Sequence, residues 1–337
     1  MGYKLLFVAL ISTVLTALVM PFYIKMLKSR NLNQSVSEYA LEEYKQKQKT
    51  PIMGGLVFVV VPLIVLAIVY PEAYVNKETL MIIVSFVSYC LVGFWDDVLI
   101  LLRHNNEGLS PRFKLILEII ITIIIFFAFR DVLSLSIDIP FTNSSIKLPW
   151  FIFLPFMILL YTAEANAVNF TDGMDGLCAG VSFIALIPFV IISNVKGMHH
   201  ITILIMPILG GLIGYLFFNF HPAKIFMGDS GSLALGALFA SLSIILNKEI
   251  ALFFIGGIFV WEMFCVCLQL SSVKLFHKRV FSYTPIHYAF VLKGHNEVKV
   301  VTMFYFLACI LAITGTFIGL NWWILILLKL MILLKQY

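Results

Sequence analysis

Five of the chain's seven aspartates fall in three short segments. They are Asp96 and Asp97 in Gly93-Phe94-Trp95-Asp96-Asp97, Asp172 and Asp175 in the run Asn166 to Gly176, and Asp229 in the run Asn219 to Ser232. Only Asp131 and Asp138 lie elsewhere. Carboxylates gathered in this way repel one another and hold on to protons unless a cation neutralises them. An all-oxygen set suits Mg²⁺, whose coordination is usually completed by substrate phosphates. Asp96 and Asp97 end an apolar stretch, and at a helix C-terminus the dipole disfavours anions, so a merely solvated helix end explains them poorly. The second segment holds Asn166, Asn169, Asp172, Gly173, Asp175 and Gly176. Its donors and acceptors could read a nucleobase or a ribose, and its glycines let backbone approach a ligand. A tight loop of turn formers is the competing local account. In the third segment Asn219, Lys224 and Phe226 precede Gly228-Asp229-Ser230-Gly231-Ser232. That stretch leads into a helix whose free N–H groups could hold an anion, and Asp229-Ser230 also fits an N-cap.

Two further groups sit nearby. Arg112 and Lys114 follow Ser110-Pro111, and Pro111 suits the first turn of a helix. They could hold phosphates or simply mark the cytoplasmic side. The loop from Lys278 to Glu297 mixes apolar and basic residues around Thr284-Pro285-Ile286-His287, as an interfacial segment would. Upstream, Glu262 and Gln269 are seven apart and share a helix face. A Glu at that depth should face protein or water rather than lipid.

The elements that carry these residues must be membrane helices. Of the 337 residues, 61% are AVILMFWYC and 12% are charged, with mean hydropathy +1.01. A soluble domain has roughly 45–50% and 25%. Disorder, a disulfide scaffold and a nucleic-acid binder are excluded, and the bilayer is the solvent. Runs near 3–24, 52–70, 80–95, 114–129, 149–167, 176–193, 200–219, 233–247, 249–270 and 300–320 predict ten spans in an all-α polytopic protein, with 1–337 forming one membrane domain. A further apolar run, 322–334, is short for a span. Loops 25–49, 96–114, 166–176, 220–232 and 271–299 carry 15 Lys and Arg, and the alternating loops carry 5. The first set is therefore expected in the cytoplasm, with both termini outside. Period-two alternation over 133–139, followed by a polar turn, predicts a small outer hairpin. The five cysteines have no metal or redox spacing and read as packing residues. Gly210-x-x-x-Gly214 and Ser232-x-x-x-Gly236 read as helix-packing surfaces.

In their order and spacing, GFWDD, NxxNxxDGxDGL, PAKIFMGDSGS and TPIH resemble the polyprenyl-phosphate N-acetylhexosamine-1-phosphate transferases, over about residues 45 to 305. Thr50-Pro51-Ile52-Met53-Gly54-Gly55 and the stretch from Lys278 to Val300 look most like the branch that uses UDP-N-acetylmuramoyl-pentapeptide. The resemblance implies attack by undecaprenyl phosphate on the donor pyrophosphate, giving lipid I and UMP with Mg²⁺, in a bacterial inner membrane with the active site on the cytoplasmic side. It implies Asp96, Asp97, Lys114, Asp229 and His287 as catalytic residues, with Asp97 and Asp229 at the metal. It places Thr50, Asn166, Asn169, Asp172, Gly173, Asp175, Gly176, Asn219, Phe226 and Gln269 at the substrates, Phe226 against uracil. The chain departs from the family pattern where Tyr288 and Ala289 replace two histidines, Ile100 a lysine and Lys49 a glycine. His287 is expected to carry that loop's chemistry and Tyr288 to add little. A transferase using UDP-N-acetylglucosamine and a secondary transporter are the alternatives. A transporter should put its ionisable groups at the midplane, often with repeat symmetry, and neither feature is visible. A homodimer is an open arrangement.

Overall fold

A computed structural model describes residues 2–30, 50–103, 108–142 and 144–320. Among these residues eight helices are long and apolar enough to cross a membrane. They are α1 (Gly2–Ser29), α3 (Lys77–Arg103), α5 (Trp150–Thr171), α6 (Leu177–Val195), α7 (His199–Asn219), α8 (Asp229–Leu246), α10 (Gly257–Phe276) and α12 (Glu297–Leu320). Helix α2 (Gly55–Val69) is apolar but has only 15 residues. Helix α4 (Pro111–Ala128) carries Arg112, Lys114 and Glu118 in its first eight residues. The run expected as one span over 249–270 is broken at Gly256 into α9 (Glu249–Ile255) and α10. A short α11 (Ile286–Leu292) follows it. The segments 31–49 and 322–334 lie outside the described residues.

Helix α8 is the axis of the molecule, with 94% of its span buried. Its neighbours touch it backbone to backbone, because lipid supplies no hydrophobic force between helices and close contact must replace it. A Cβ on Gly93 of α3 would lie 2.1 Å from the Asp229 carbonyl oxygen. One on Gly236 of α8 would lie 2.4 Å from the Ala165 Cα of α5, and one on Gly55 of α2 would lie 2.3 Å from the Gly231 Cα. Any side chain at these points would push the helices apart. The Gly210 and Gly214 surface of α7 packs on α1, with Gly210 against the Ala9 carbonyl and Gly214 against that of Thr13. Ser12 and Thr13 of α1 donate hydroxyls to the Pro207 and Gly210 carbonyls of α7.

The loops divide between the two ends as the charge pattern requires. At one end β1 (Ser136–Asp138) pairs antiparallel with β2 (Ser145–Lys147), Ile137 opposite Ile146. Strand β1 lies within the alternating run, whereas β2 follows the polar turn and starts at Ser145, a residue expected in the turn itself. Lys248 ties it to α9 through Asp138 at 2.8 Å, Lys77 pairs with Asp131, and Lys196 donates to the Leu246 carbonyl. At the opposite end lie the loops that carry the clustered aspartates.

Candidate active site

The close helix contacts determine where the carboxylates meet. Asp96 and Asp97 lie three and four residues beyond Gly93, Asn169 lies four beyond Ala165, and Asp229 opens α8. Residues three or four apart share a helix face. The glycine contacts therefore bring these four side chains to one place. Lys114 enters from the first turn of α4, which starts at Pro111 and is capped by the Ser110 hydroxyl.

Asp97 is fully occupied by backbone. Its two oxygens accept the N–H groups of Asp229 and Ser230, each at 3.0 Å. A carboxylate from α3 thus caps the N-terminus of α8, where the dipole favours an anion. Gly228, at φ 76°, makes the turn, and a Cβ there would lie 2.7 Å from an Asp97 oxygen. The Asp229 carboxylate accepts Lys114 on one oxygen and the Asn169 amide, at 2.7 Å, on the other. Asn169 also reaches the Ser232 hydroxyl at 2.9 Å. Asp96 accepts the Leu109 N–H at 2.9 Å and lies near the Asp229 carboxylate. Asp172, the C-cap of α5, lies near the Gly228 backbone N–H. Burial, then the Asp229 and Asp175 carboxylates, lifts the Asp172 carboxyl to about 7 against the pull of that N–H.

Asp96, Asp97 and Asp172 therefore gather near Asp229, which is bonded to one ammonium, that of Lys114. Asp96 lies near enough to Asp229 for the two carboxylates to repel each other, a field that a cation would relieve. The donors are all oxygen. This is a fit for a hard divalent ion and a poor one for a soft metal.

The neighbouring loops form a second network. The side chain of Asp175 is buried and accepts His221 Nδ1 and the Ala223 N–H, both at 3.0 Å. Glu297 accepts the Asp175 N–H at 2.7 Å. Asn219 takes the Gly176 N–H at 3.0 Å and gives its amide to the Ile225 carbonyl at 2.9 Å. Gly176, at φ 79°, accepts the Tyr305 hydroxyl. Asp175, His221 and Glu297 place their ligand atoms within 4.8 Å of one another, a second grouping that could take a metal. The 50–55 segment docks alongside. Phe226 N–H donates to the Pro51 carbonyl, and Gly54 and Gly55 N–H donate to the carbonyls of Phe226 and Met227. This leaves Thr50 and the Phe226 ring half-buried beside the turn into α8.

Several expected site residues spend their polar atoms on protein. Asn166 donates to Glu118 at 3.0 Å and to the Thr162 carbonyl. Gln269 accepts the Val280 and Phe281 N–H groups and donates to the Phe281 carbonyl. His287 is fully buried, with Nδ1 on Glu262. Tyr288 does more than its sequence position suggested, because its hydroxyl holds the Gly173 carbonyl at 2.8 Å. Glu118, His221, Glu297 and Tyr305 carry parts of these networks that the motifs did not mark. The signal for Glu118 was there: it is an acid inside an apolar helix, one turn beyond Lys114.

This is a multi-pass membrane protein with a carboxylate-rich site at one end of its helices. The family described as glycosyl transferase family 4 matches residues 79–247, which contain all five clustered aspartates. A protein of Staphylococcus aureus (strain bovine RF122 / ET3-1) is 42% identical over 320 residues, covering 93% of this chain and 98% of its own. One from Staphylococcus carnosus (strain TM300) is 39% identical over the same shares. Both are named phospho-N-acetylmuramoyl-pentapeptide-transferase, and the chain belongs to that family.

Proposed function

We propose that this protein transfers phospho-N-acetylmuramoyl-pentapeptide from its UDP donor to undecaprenyl phosphate, releasing UMP, in peptidoglycan synthesis. The observation that carries this reading is the meeting of Asp96, Asp97, Asp172 and Asp229 around Lys114 and Asn169 at one end of three packed helices. A lipid phosphate reaches such a place through the bilayer and a nucleotide reaches it from water. An oxygen of the lipid phosphate attacks the sugar-bearing phosphorus, the bond to the second phosphate breaks, and UMP leaves with that electron pair.

The side chains divide the work. Asp97 holds the turn into α8, so that Asp229 faces the reacting phosphates. Lys114 brings a positive charge beside them, and Asn169 fixes the Asp229 carboxylate. Mg²⁺ would be held by Asp229, with Asp97 behind it and Asp96 and Asp172 in reach, and it would neutralise charge on the transferring phosphoryl group. The loop of Asp172, Gly173, Asp175 and Gly176, with Asn219, Phe226 and Thr50, shapes the nucleoside side. The 15-to-5 division of Lys and Arg supports placing this end in the cytoplasm, and the bacterial relatives support a bacterial inner membrane.

The test is UMP release by purified protein with undecaprenyl phosphate. UDP-N-acetylmuramoyl-pentapeptide should support turnover at least about a hundredfold better than UDP-N-acetylglucosamine, which is ~2.7 kcal/mol of discrimination. Preference for the smaller sugar would replace the proposed donor. Orientation is tested separately at Lys293, which is exposed in the loop following His287. A Lys293→Cys variant in intact cells should resist an impermeant thiol reagent and react once the membrane is opened. Labelling without permeabilisation would reverse the topology.

A further inference from the structure

A carboxylate inside a membrane helix is costly unless it is bonded, and Glu262, the sixth residue of α10, is wholly buried. Its partners all come from one place. Oε2 accepts the Ile286 N–H at 2.7 Å, and Oε1 accepts the His287 N–H at 3.3 Å and His287 Nδ1 at 2.9 Å. Two turns along the same helix, Gln269 binds the backbone of Val280 and Phe281. One face of α10 therefore grips the loop that delivers His287. The other ring nitrogen, Nε2, is buried and has no hydrogen-bond partner. It lies against Gly173, where a Cβ would come within 2.3 Å of it, beside Asp172. Tyr288 holds the Gly173 carbonyl from the same short helix, so ring and loop are kept in register.

We infer that Glu262 is the positioning residue of the transfer site: it fixes the His287 ring so that Nε2 is the nitrogen presented to the phosphates. The inference rests on the transferase reading above. A carboxylate can only accept, so a ring nitrogen bonded to it must carry the hydrogen. The second nitrogen is then left as the working one, as for histidines oriented by an acid in metal and hydrolase sites. Gln fits the same space and, with its oxygen where Oε2 lies, still accepts the Ile286 N–H, giving up the longer contact to the His287 N–H. It would also turn an amide N–H toward Nδ1, which reverses the tautomer.

Two measurements test this. In ¹⁵N-histidine-labelled wild-type protein, the resonances that vanish in His287→Asn should show a neutral ring protonated at Nδ1. A neutral ring protonated at Nε2 would overturn the inference, whatever the variants do. In UMP release, Glu262→Gln should lower kcat at least tenfold, with donor KM within about twofold and a thermal midpoint still well above the assay temperature. Added to His287→Asn, it should lower kcat no further, because Glu262 acts through that ring. Full independent losses in the double variant, or a loss of thermal stability that accounts for the lost activity, would make Glu262 a structural anchor only. Absence of UMP release from the wild-type protein would instead count against the transferase reading, and the ring measurement would still decide the role of Glu262.

Discussion

Asp97→Asn should lower the turnover of UMP release by roughly 10²–10³-fold while leaving the affinity for a uridine nucleotide within about twofold. Both Asp97 oxygens accept backbone N–H groups from the first residues of α8. An amide can accept only one of them and points a donor at the other. Breaking a buried, charged hydrogen-bonded arrangement costs about 3–5 kcal/mol, and part of this falls on the position of Asp229, whose backbone is the one held. Among the described residues the 172–176 loop donates no hydrogen bond to Asp97, so nucleoside binding should survive. Asp175→Asn should behave in the opposite way. It removes a buried charge that accepts His221 and Ala223, and so loosens the 172–176 and 219–226 loops against each other. Uridine affinity should fall at least tenfold, with a smaller effect on kcat at saturation. Calorimetric titration with a uridine nucleotide beside steady-state kinetics separates the two. Equal loss of nucleotide affinity in both variants would refute this division between the loops.

Removal of divalent cations should abolish UMP release, and Mg²⁺ should restore it. Asp96, Asp97 and Asp172 all lie near the Asp229 carboxylate, and Lys114 is the ammonium bonded to Asp229. Bringing two substrate phosphates into that field adds further negative charge. Uncompensated like charges at such distances cost several kcal/mol each. A hard cation bound by oxygen is the economical remedy, and Ca²⁺, with its longer bonds and looser geometry, should restore less activity than Mg²⁺. Dialysis against chelator followed by metal titration measures this directly. Undiminished turnover in excess chelator would mean that Lys114 and a shared proton suffice.

What could be read from the sequence depended on properties that belong to single residues. Transfer from water to lipid is close to a sum over side chains, so the apolar runs announced the helices, and the first strand of the hairpin showed as an alternation. The same reasoning put five aspartates at one end, because a carboxylate avoids hydrocarbon wherever else the chain goes. Motif order then carried the family resemblance. Which polar atoms remain for a substrate was decided by the tertiary structure. Asp97 meets α8 across 132 residues, Lys114 meets Asp229 across 115, and Asn166 turns to Glu118 across 48. Gln269, expected at a substrate, closes its own loop, and the predicted span 249–270 breaks at Gly256. These pairings depend on how closely helices approach, and that distance is set where Gly93 meets Asp229 and Gly236 meets Ala165. A glycine in a sequence records only a missing side chain. The backbone that fills the space comes from another helix, and hydrogen-bond directionality then selects which of the nearby acids faces protein and which faces the site.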